Sequence, residues 1–256
     1  MKEQIEIVDF DLFITSLQAL GKVINSAKFI INSTGLTIYS QAGYARSEFF
    51  TTAIKTKNEI DFCFDDISML NKIFTTVKNI HNSDYSELEF FYEKPVIKIE
   101  STKFKTKLQT IIEKDIANSI SEKLKTTLTP VCEFTTNSQI IKSVNNHSFI
   151  YHDIQSLRFY LNTDASMQNN VLYATIGNKT NNMNNLLTLK FADVNFGSIS
   201  RELILDSNRL NLFNIIQSDN IKIELTDKNV LRYKIRLDGK DDAYTTCNIY
   251  VSLLAA

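Results

Sequence analysis

Glycine and proline are scarce in this chain, six and two in 256 residues. A glycine-rich phosphate loop needs several closely spaced glycines, so the composition argues against that class of nucleotide site. With so few breakers, the chain is expected to form many well-defined elements. Cysteine occurs only three times, at Cys63, Cys132 and Cys247, far apart and with no CxxC spacing. An odd, dispersed set supports neither a disulfide framework nor a zinc site. Their apolar settings, such as Phe62-Cys63-Phe64 and Val131-Cys132-Glu133-Phe134, suit small buried hydrophobes. No apolar run approaches the ~18 residues of a membrane span. Met1 to Phe10 alternates charged and apolar residues without a signal-peptide core, so a cytoplasmic setting is expected. An excess of one charge is missing too: 28 Lys and Arg stand against 29 Asp and Glu, for a net charge of −1. That excludes a uniformly basic nucleic-acid binder but leaves room for one whose charges are segregated.

Catalytic signatures are equally sparse. The only histidines are His81, His147 and His152. The last two are spaced i, i+5, off a shared helical face, and no HExxH or HxH occurs. Asp65-Asp66 suits a helix start and Asp241-Asp242 a turn after Gly239, while Asp164 sits in a loop. GxSxG, Walker A and GxGxxG are all absent. No catalytic residue, cofactor or metal is assigned; an enzyme with a dispersed site ranks third among the readings.

What the chain does contain is 43% hydrophobic residues in a repeated pattern. A strand at Gln4 to Val8 precedes a helix from Asp9 or Asp11 to about Asn25, with Phe13, Leu17, Leu20 and Ile24 at helical spacing. Strands follow at Lys28 to Asn32, Leu36 to Ser40, Ala45 to Ala53 and Glu59 to Phe64. An Asp65/Asp66 cap then opens a helix carrying Leu70, Ile73, Phe74 and Val77. Strands Glu87 to Tyr92, Val96 to Glu100 and Phe104 to Ile112 close the half. The second half repeats the order: strand Val131 to Phe134, a helix capped by Asn137 or Ser138, four strands, a helix after Asp206 with Leu210, Phe213 and Ile216, and three final strands. Asp66-Ile-Ser-Met-Leu70-Asn71 and Asp206-Ser-Asn-Arg-Leu210-Asn211 match across this repeat. The asparagine-rich Asn169 to Asn185 stretch suits a solvated loop. The fold expected is α+β: two similar domains, residues 1–113 and 131–256, each of antiparallel sheets with two helices on one face, joined by a connector at 114–130.

One charge sign is missing from the four helical segments. Leu12–Lys28, Ile67–Ser83, Asn137–His152 and Ser207–Ser218 together would carry about seven acids at the chain-wide frequency. They carry none, while Lys22, Lys28, Lys72, Lys78, Lys142 and Arg209 keep their basic content near average. The polar stripes opposite the core read Thr15, Gln18, Lys22; Ser68, Asn71, Lys72, Thr75, Lys78; Ser138, Lys142, Asn145; and Asn211, Asn214, Ser218. Faces stripped of acids but not of lysines suit a polyanion touched without base reading. A merely neutral polar surface is the plain alternative.

In element order and duplication the chain resembles the DNA polymerase sliding clamps of the two-domain type, proliferating cell nuclear antigen and the related bacteriophage clamps. The likeness also rests on Ala27-Lys28-Phe29-Ile30-Ile31-Asn32-Ser33-Thr34-Gly35-Leu36-Thr37-Ile38, on the strand-to-helix passages at Asp65/Asp66 and Leu205-Asp206, and on the apolar end Ile249-Tyr250-Val251-Ser252-Leu253-Leu254. The resemblance implies a non-enzymatic processivity factor: a homotrimeric ring of six domains around double-stranded DNA, without sequence preference, loaded by an ATP-dependent clamp loader and tethering a DNA polymerase. It implies DNA contacts at Lys22, Lys72, Lys78, Lys142, Arg209 and His147. It implies a partner pocket at Tyr44, Ala45, Leu124, Leu128, Pro130, Tyr250, Val251 and Leu253, and ring closure between Phe104 to Ile112 of one copy and Leu186 to Phe191 of the next. The setting implied is a bacterial or virus-infected cell, with no membrane partner. A monomeric viral-type processivity factor, or a non-ring scaffold of the same duplicated fold, is the alternative.

Overall fold

The computed structural model describes residues 2–22, 25–42, 45–82, 84–111, 127–148, 156–162, 171–176, 187–197, 199, 203–206, 210, 213 and 215–253. The chain divides into two compact units, Met1–Leu124 with Arg236–Asn248, and Lys125–Ile235 with Ile249–Ala256. A division at the connector alone would leave Arg236–Asn248 in the second half; here this hairpin groups with the first.

In unit 1, β1 (Glu3–Ile7) leads into α1 (Phe10–Leu20), followed by β2 (Ala27–Ile31), β3 (Leu36–Ala42), β4 (Ala45–Thr51), β5 (Ile54–Thr56) and β6 (Ile60–Phe64). Next come α2 (Ile67–His81), β7 (Glu89–Glu93), β8 (Val96–Glu100) and β9 (Lys105–Gln109). The sequence predicts one strand from Ala45 to Ala53. The chain instead bends after Thr51, whose Oγ1 accepts the Ala53 N–H at 3.1 Å, while the Ala53 carbonyl accepts from Val8 and Asp9. The strands form an antiparallel sheet in the order β5-β1-β7-β8-β9, and a second run β6-β2-β3-β4. The β2–β3 turn is set by Asn32, whose Oδ1 accepts the Thr34 N–H, and by Gly35, where a Cβ would lie 2.3 Å from the Thr51 carbonyl oxygen.

Helix α1 begins where its cap dictates. Asp9 Oδ1 accepts the Leu12 N–H at 2.9 Å, and its Oδ2 accepts the Lys240 N–H at 2.7 Å. One carboxylate thus caps the helix and ties down the turn at Gly239, where a Cβ would meet that same oxygen at 2.4 Å. Ile14, Leu17 and Leu20 are buried on the core side. The helix ends at Gly21, whose N–H reaches the Leu17 carbonyl, earlier than the expected Asn25; Ile24 lies outside the described residues. Helix α2 is capped by Asp66 as expected, through the Met69 N–H at 2.8 Å, and stops at Asn82 in the left-handed region. Phe10, Phe13, Phe74 and Phe90 interlock, mostly edge-to-face with centroids 5.1–6.3 Å apart, and seat the two helices on β7.

Unit 2 opens with β10 (Pro130–Thr136) and α3 (Ser138–Ser148), then β11 (Ser156–Asn162), β12 (Val171–Ile176), β13 (Leu187–Gly197), β14 (Leu203–Asp206) and β15 (Ile221–Thr226). Two final strands, β16 (Val230–Asp238) and β17 (Tyr244–Ser252), run through the boundary between the units in sequence. The antiparallel order here is β14-β11-β12-β13-β10-β15-β16-β17. Asn137 caps α3 through the Ile140 N–H at 2.9 Å. Gly197 ends β13 at φ +81, with Val131 O only 2.2 Å from where a Cβ would stand. Leu210, Phe213 and Ile216 are fully buried, in keeping with a core-facing stripe; most of the segment around them lies outside the described residues. All three cysteines are buried and free, and His81 is a core residue held between the Asp84 carbonyl and Ser101 Oγ.

Asp9→Ala removes the α1 cap and strands the Lys240 N–H together. Its expected cost is about 1–3 kcal/mol in a denaturant titration, with Asp9→Asn retaining much of the stability because it keeps an acceptor.

Candidate nucleic-acid interface

In unit 1 the two helices lie antiparallel along a polar seam. Asn71 Nδ2 donates to the Leu17 carbonyl at 3.1 Å, Gln18 Nε2 to Thr75 Oγ1 at 3.3 Å, and Lys78 Nζ pairs with Asp11 Oδ1 at 2.8 Å. Gly21 makes the approach possible, since a Cβ there would sit 2.4 Å from Asn71 Nδ2. Asn71, Thr75 and Lys78 of the expected outward stripe therefore each direct a polar atom to α1, Lys78 with its side chain still 41% exposed. Ser68, Lys72, Thr76 and Asn79 are exposed on α2. On α1 the accessible stripe is Asp11, Thr15 and Gln18, continued by exposed Lys22.

Asp11 falls just before the acid-free segment that begins at Leu12; it is an acid of the helix start, in the first turn of α1 behind the Asp9 cap. One expectation needs correction. Lys28 is on β2, buried, and belongs to no helix face.

Asp11 is the charge centre of this end of the helix pair. Besides Lys78 it accepts the Tyr85 hydroxyl at 3.1 Å and faces Lys240 Nζ at 3.9 Å. Partial burial works against its charge, but the hydrogen bond and charge of Lys78, helped by Tyr85 and Lys240, win and hold its carboxyl below the usual aspartate range. An acid with a depressed pKa stabilises the fold above its unfolded pKa and loses that contribution as pH falls through the folded value.

Among the described residues, Lys22, Lys72 and Lys142 have no acid within ion-pair distance. Lys22 and Lys72 each neighbour in sequence a member of the Gly21–Asn71 crossing. Lys142 is half-buried on α3, between exposed Gln139, Ser143 and Asn146. Two members of the expected α3 stripe are instead interior: Ser138 exchanges hydrogen bonds with Ser218 at 2.9 and 3.0 Å, and Asn145 is buried. His147, half-buried, donates its Nδ1–H to the Ser143 carbonyl at 2.6 Å, leaving Nε2 as its other polar atom. Arg209 lies outside the described residues.

Cations on the strands mostly sit beside acids. Arg46 pairs with Glu48, Lys55 with Glu6, Lys98 with Glu93, and both Arg232 and Lys234 with Glu224. Glu224 is 3% exposed; burial opposes its charge, yet those two cations hold its carboxyl below the ordinary range. Edge strand β9 differs, with exposed Lys105 and Lys107, a common way of keeping an edge soluble.

Of the positions assigned to a partner pocket, Tyr44 and Leu124 lie outside the described residues. Ala45 opens β4, and its side chain lies outside them too. Leu128, Pro130 and Leu253 are half-buried in unit 2. Tyr250 and Val251 are buried, at 8% and 1% exposure, so Val251 is a core residue in this chain.

Two α+β units with antiparallel sheets define the class of fold; comparison with solved structures specifies it. No protein-family model and no curated protein matches the chain. Proliferating cell nuclear antigen from Entamoeba histolytica is similar at a TM-score of 0.70 with 13% identity, covering 99% of both chains. The A. fulgidus protein, in a structure titled for the C-terminal region of FEN-1 bound to it, gives 0.72 at 11% identity over 100% of this chain and 99% of that one. The Thermococcus kodakaraensis protein gives 0.68 at 11% identity over 99% and 100%. The chain has the two-domain DNA sliding clamp fold. No helix among the described residues is long and apolar enough to cross a membrane.

The ion pair sets a sign that can be measured. In Lys78→Ala the burial of Asp11 remains while its main counter-charge is gone, so carboxyl NMR should find the Asp11 pKa raised relative to the parent protein. An unchanged value would mean that Lys78 does not control it.

Proposed function

We propose that this protein is a DNA sliding clamp: a non-enzymatic processivity factor that encircles duplex DNA as a homotrimer and tethers a polymerase and other partners. The observation that carries the reading is the charge of the helix faces. Lys22, Lys72 and Lys142 stand on or beside helices with no acid to answer them among the described residues, whereas strand cations are mostly paired. Lysines with serine, threonine and asparagine neighbours touch phosphates without reading bases, and a few weak contacts suit a ring that must slide. His147 and Arg209 are assigned lesser parts in the same contact.

Ring closure has a pattern to follow inside the chain. The Tyr244–Asn248 part of β17, the last strand of the second half, lies beside β4, the fourth strand of the first. Thr52 N–H donates to the Tyr244 carbonyl at 3.0 Å, and buried Thr245 Oγ1 meets Thr51 Oγ1 and Ser16 Oγ at 2.8 and 2.9 Å. The same last-to-fourth pairing between copies would join β9 to β13. β9 ends its sheet. On β13, β12 pairs along Leu187–Asp193 and β10 along Asp193–Gly197, so no described strand faces Leu187 or Leu189 on the β10 side. Leu128, Pro130 and Leu253 are the positions offered to an apolar partner peptide, with Tyr44, Ala45 and Leu124 alongside and Tyr250 and Val251 as their underlying support. An ATP-driven loader and a cytoplasmic setting, in a bacterial or virus-infected cell, complete the reading.

Sedimentation equilibrium should give three times the 29.3 kDa chain mass. A monomer would favour the non-ring processivity factor instead. Lys72→Glu with Lys142→Glu should abolish loading onto circular DNA and shorten polymerase products to the length made without the protein; undiminished loading and product length would reject the DNA face.

A further inference from the structure

We infer that Asp11 is a charge-sequestering residue that withholds Lys78, and in part Lys240, from the duplex and so keeps the helix face weakly binding. This rests on the clamp reading and deepens it: it names which lysines do not carry the DNA contact, and why.

The geometry supplies each step. Lys78 lies on the polar stripe that sequence periodicity gives and that the resemblance to sliding clamps turns toward DNA, but α1 and α2 cross antiparallel and bring it to Asp11 at 2.8 Å. Asp11 cannot turn away easily. Its helix is anchored two residues earlier by the Asp9 cap, and its carboxylate also receives the Tyr85 hydroxyl, while the Tyr85 ring packs on Phe10 with centroids 4.5 Å apart. Lys240 arrives from another direction. The turn bearing it is held by its own backbone N–H on Asp9 Oδ2, which sets its ammonium 3.9 Å from Asp11. Three polar side chains from α2, the segment after it and the β16–β17 turn thus converge on one carboxylate.

An acid in the first turn of a helix is also favourable to the helix dipole, so Asp11 could serve stability alone. The two roles differ in what they predict for DNA. A dipole partner has no influence on duplex affinity beyond its own unit charge, and it does not depend on Lys78. A sequestering acid makes Lys78 silent when present and active when removed. Each lysine that begins to neutralise a phosphate steepens the dependence of log K on log salt by about 0.9. Weak contact has a use in a sliding protein, because each phosphate contact must break for every step along the duplex.

The test is fluorescence anisotropy of a labelled 30-base-pair duplex across a sodium chloride series, with thermal melting run on each variant. Asp11→Asn should bind several-fold tighter at low salt, with a slope steeper by about 0.9 or more. Lys78→Gln alone should change duplex affinity less than twofold, and Asp11→Asn with Lys78→Gln should lose most of the gain. An Asp11→Asn slope equal to that of the parent, or a gain that survives the Lys78 change in full, would overturn the assignment. So would a several-fold loss in Lys78→Gln, a variant that needs no change at Asp11. Lys72→Gln and Lys142→Gln separate the two levels. If they weaken binding while Asp11→Asn does nothing, the clamp face stands and the role given to Asp11 is wrong; if neither weakens it, the DNA face itself is misplaced and the role of Asp11 falls with it.

Discussion

The seam between α1 and α2 decides which polar side chains of unit 1 meet solvent. Gly21 lets the helices close on Asn71, and the contacts of Gln18 with Thr75 and Asp11 with Lys78 continue along the same line. A helix surface that looks polar in sequence has two destinations, a neighbouring helix and water. Here Asn71, Thr75 and Lys78 bond to the neighbouring helix, Lys78 while part-exposed, and water keeps Ser68, Lys72, Thr76 and Asn79. Without that division the face would offer more positive charge, and Asp11 would lose its closest counter-charge.

Much of the architecture was legible because it follows from local rules. Asp9, Asp66 and Asn137 are side-chain caps, and each starts a helix within a residue of where the pattern placed it. The strand Val96–Glu100 has its expected ends. One strand end moved where a tertiary contact overrode the local pattern. Ala45 to Ala53 reads as one strand-like run, but the Ala53 carbonyl is claimed by the Val8 and Asp9 N–H groups ahead of α1, and the chain bends. The grouping of Arg236–Asn248 with the first half is a pairing across nearly two hundred residues, which no local pattern encodes.

The candidate site was legible in outline only. Scarcity of acids pointed to the helices, because composition records what a surface excludes. Which lysines remain available is a question of partners: Lys28 is buried on a strand, Lys78 is paired, and only their neighbours in space reveal it. Asp11 is visible in sequence as a helix-start acid, yet its role depends on Lys78, Tyr85 and Lys240, which are 67 or more positions away. Identities of 11–13% to the proteins of like fold fit this division of labour. Core stripes, caps and strand pairing specify the fold through residue class, leaving particular side chains free to differ.

The central claim is that the helix faces, and not the sheet faces, lie against a duplex. Site-specific crosslinking tests it directly. Single cysteines replacing Lys72, Lys142, Lys55 and Lys234 would carry a photoreactive label, the native cysteines being buried. On a nicked circular duplex with the protein loaded, the account predicts crosslinks from positions 72 and 142 and none above background from 55 and 234. Crosslinks confined to the strand positions would contradict it.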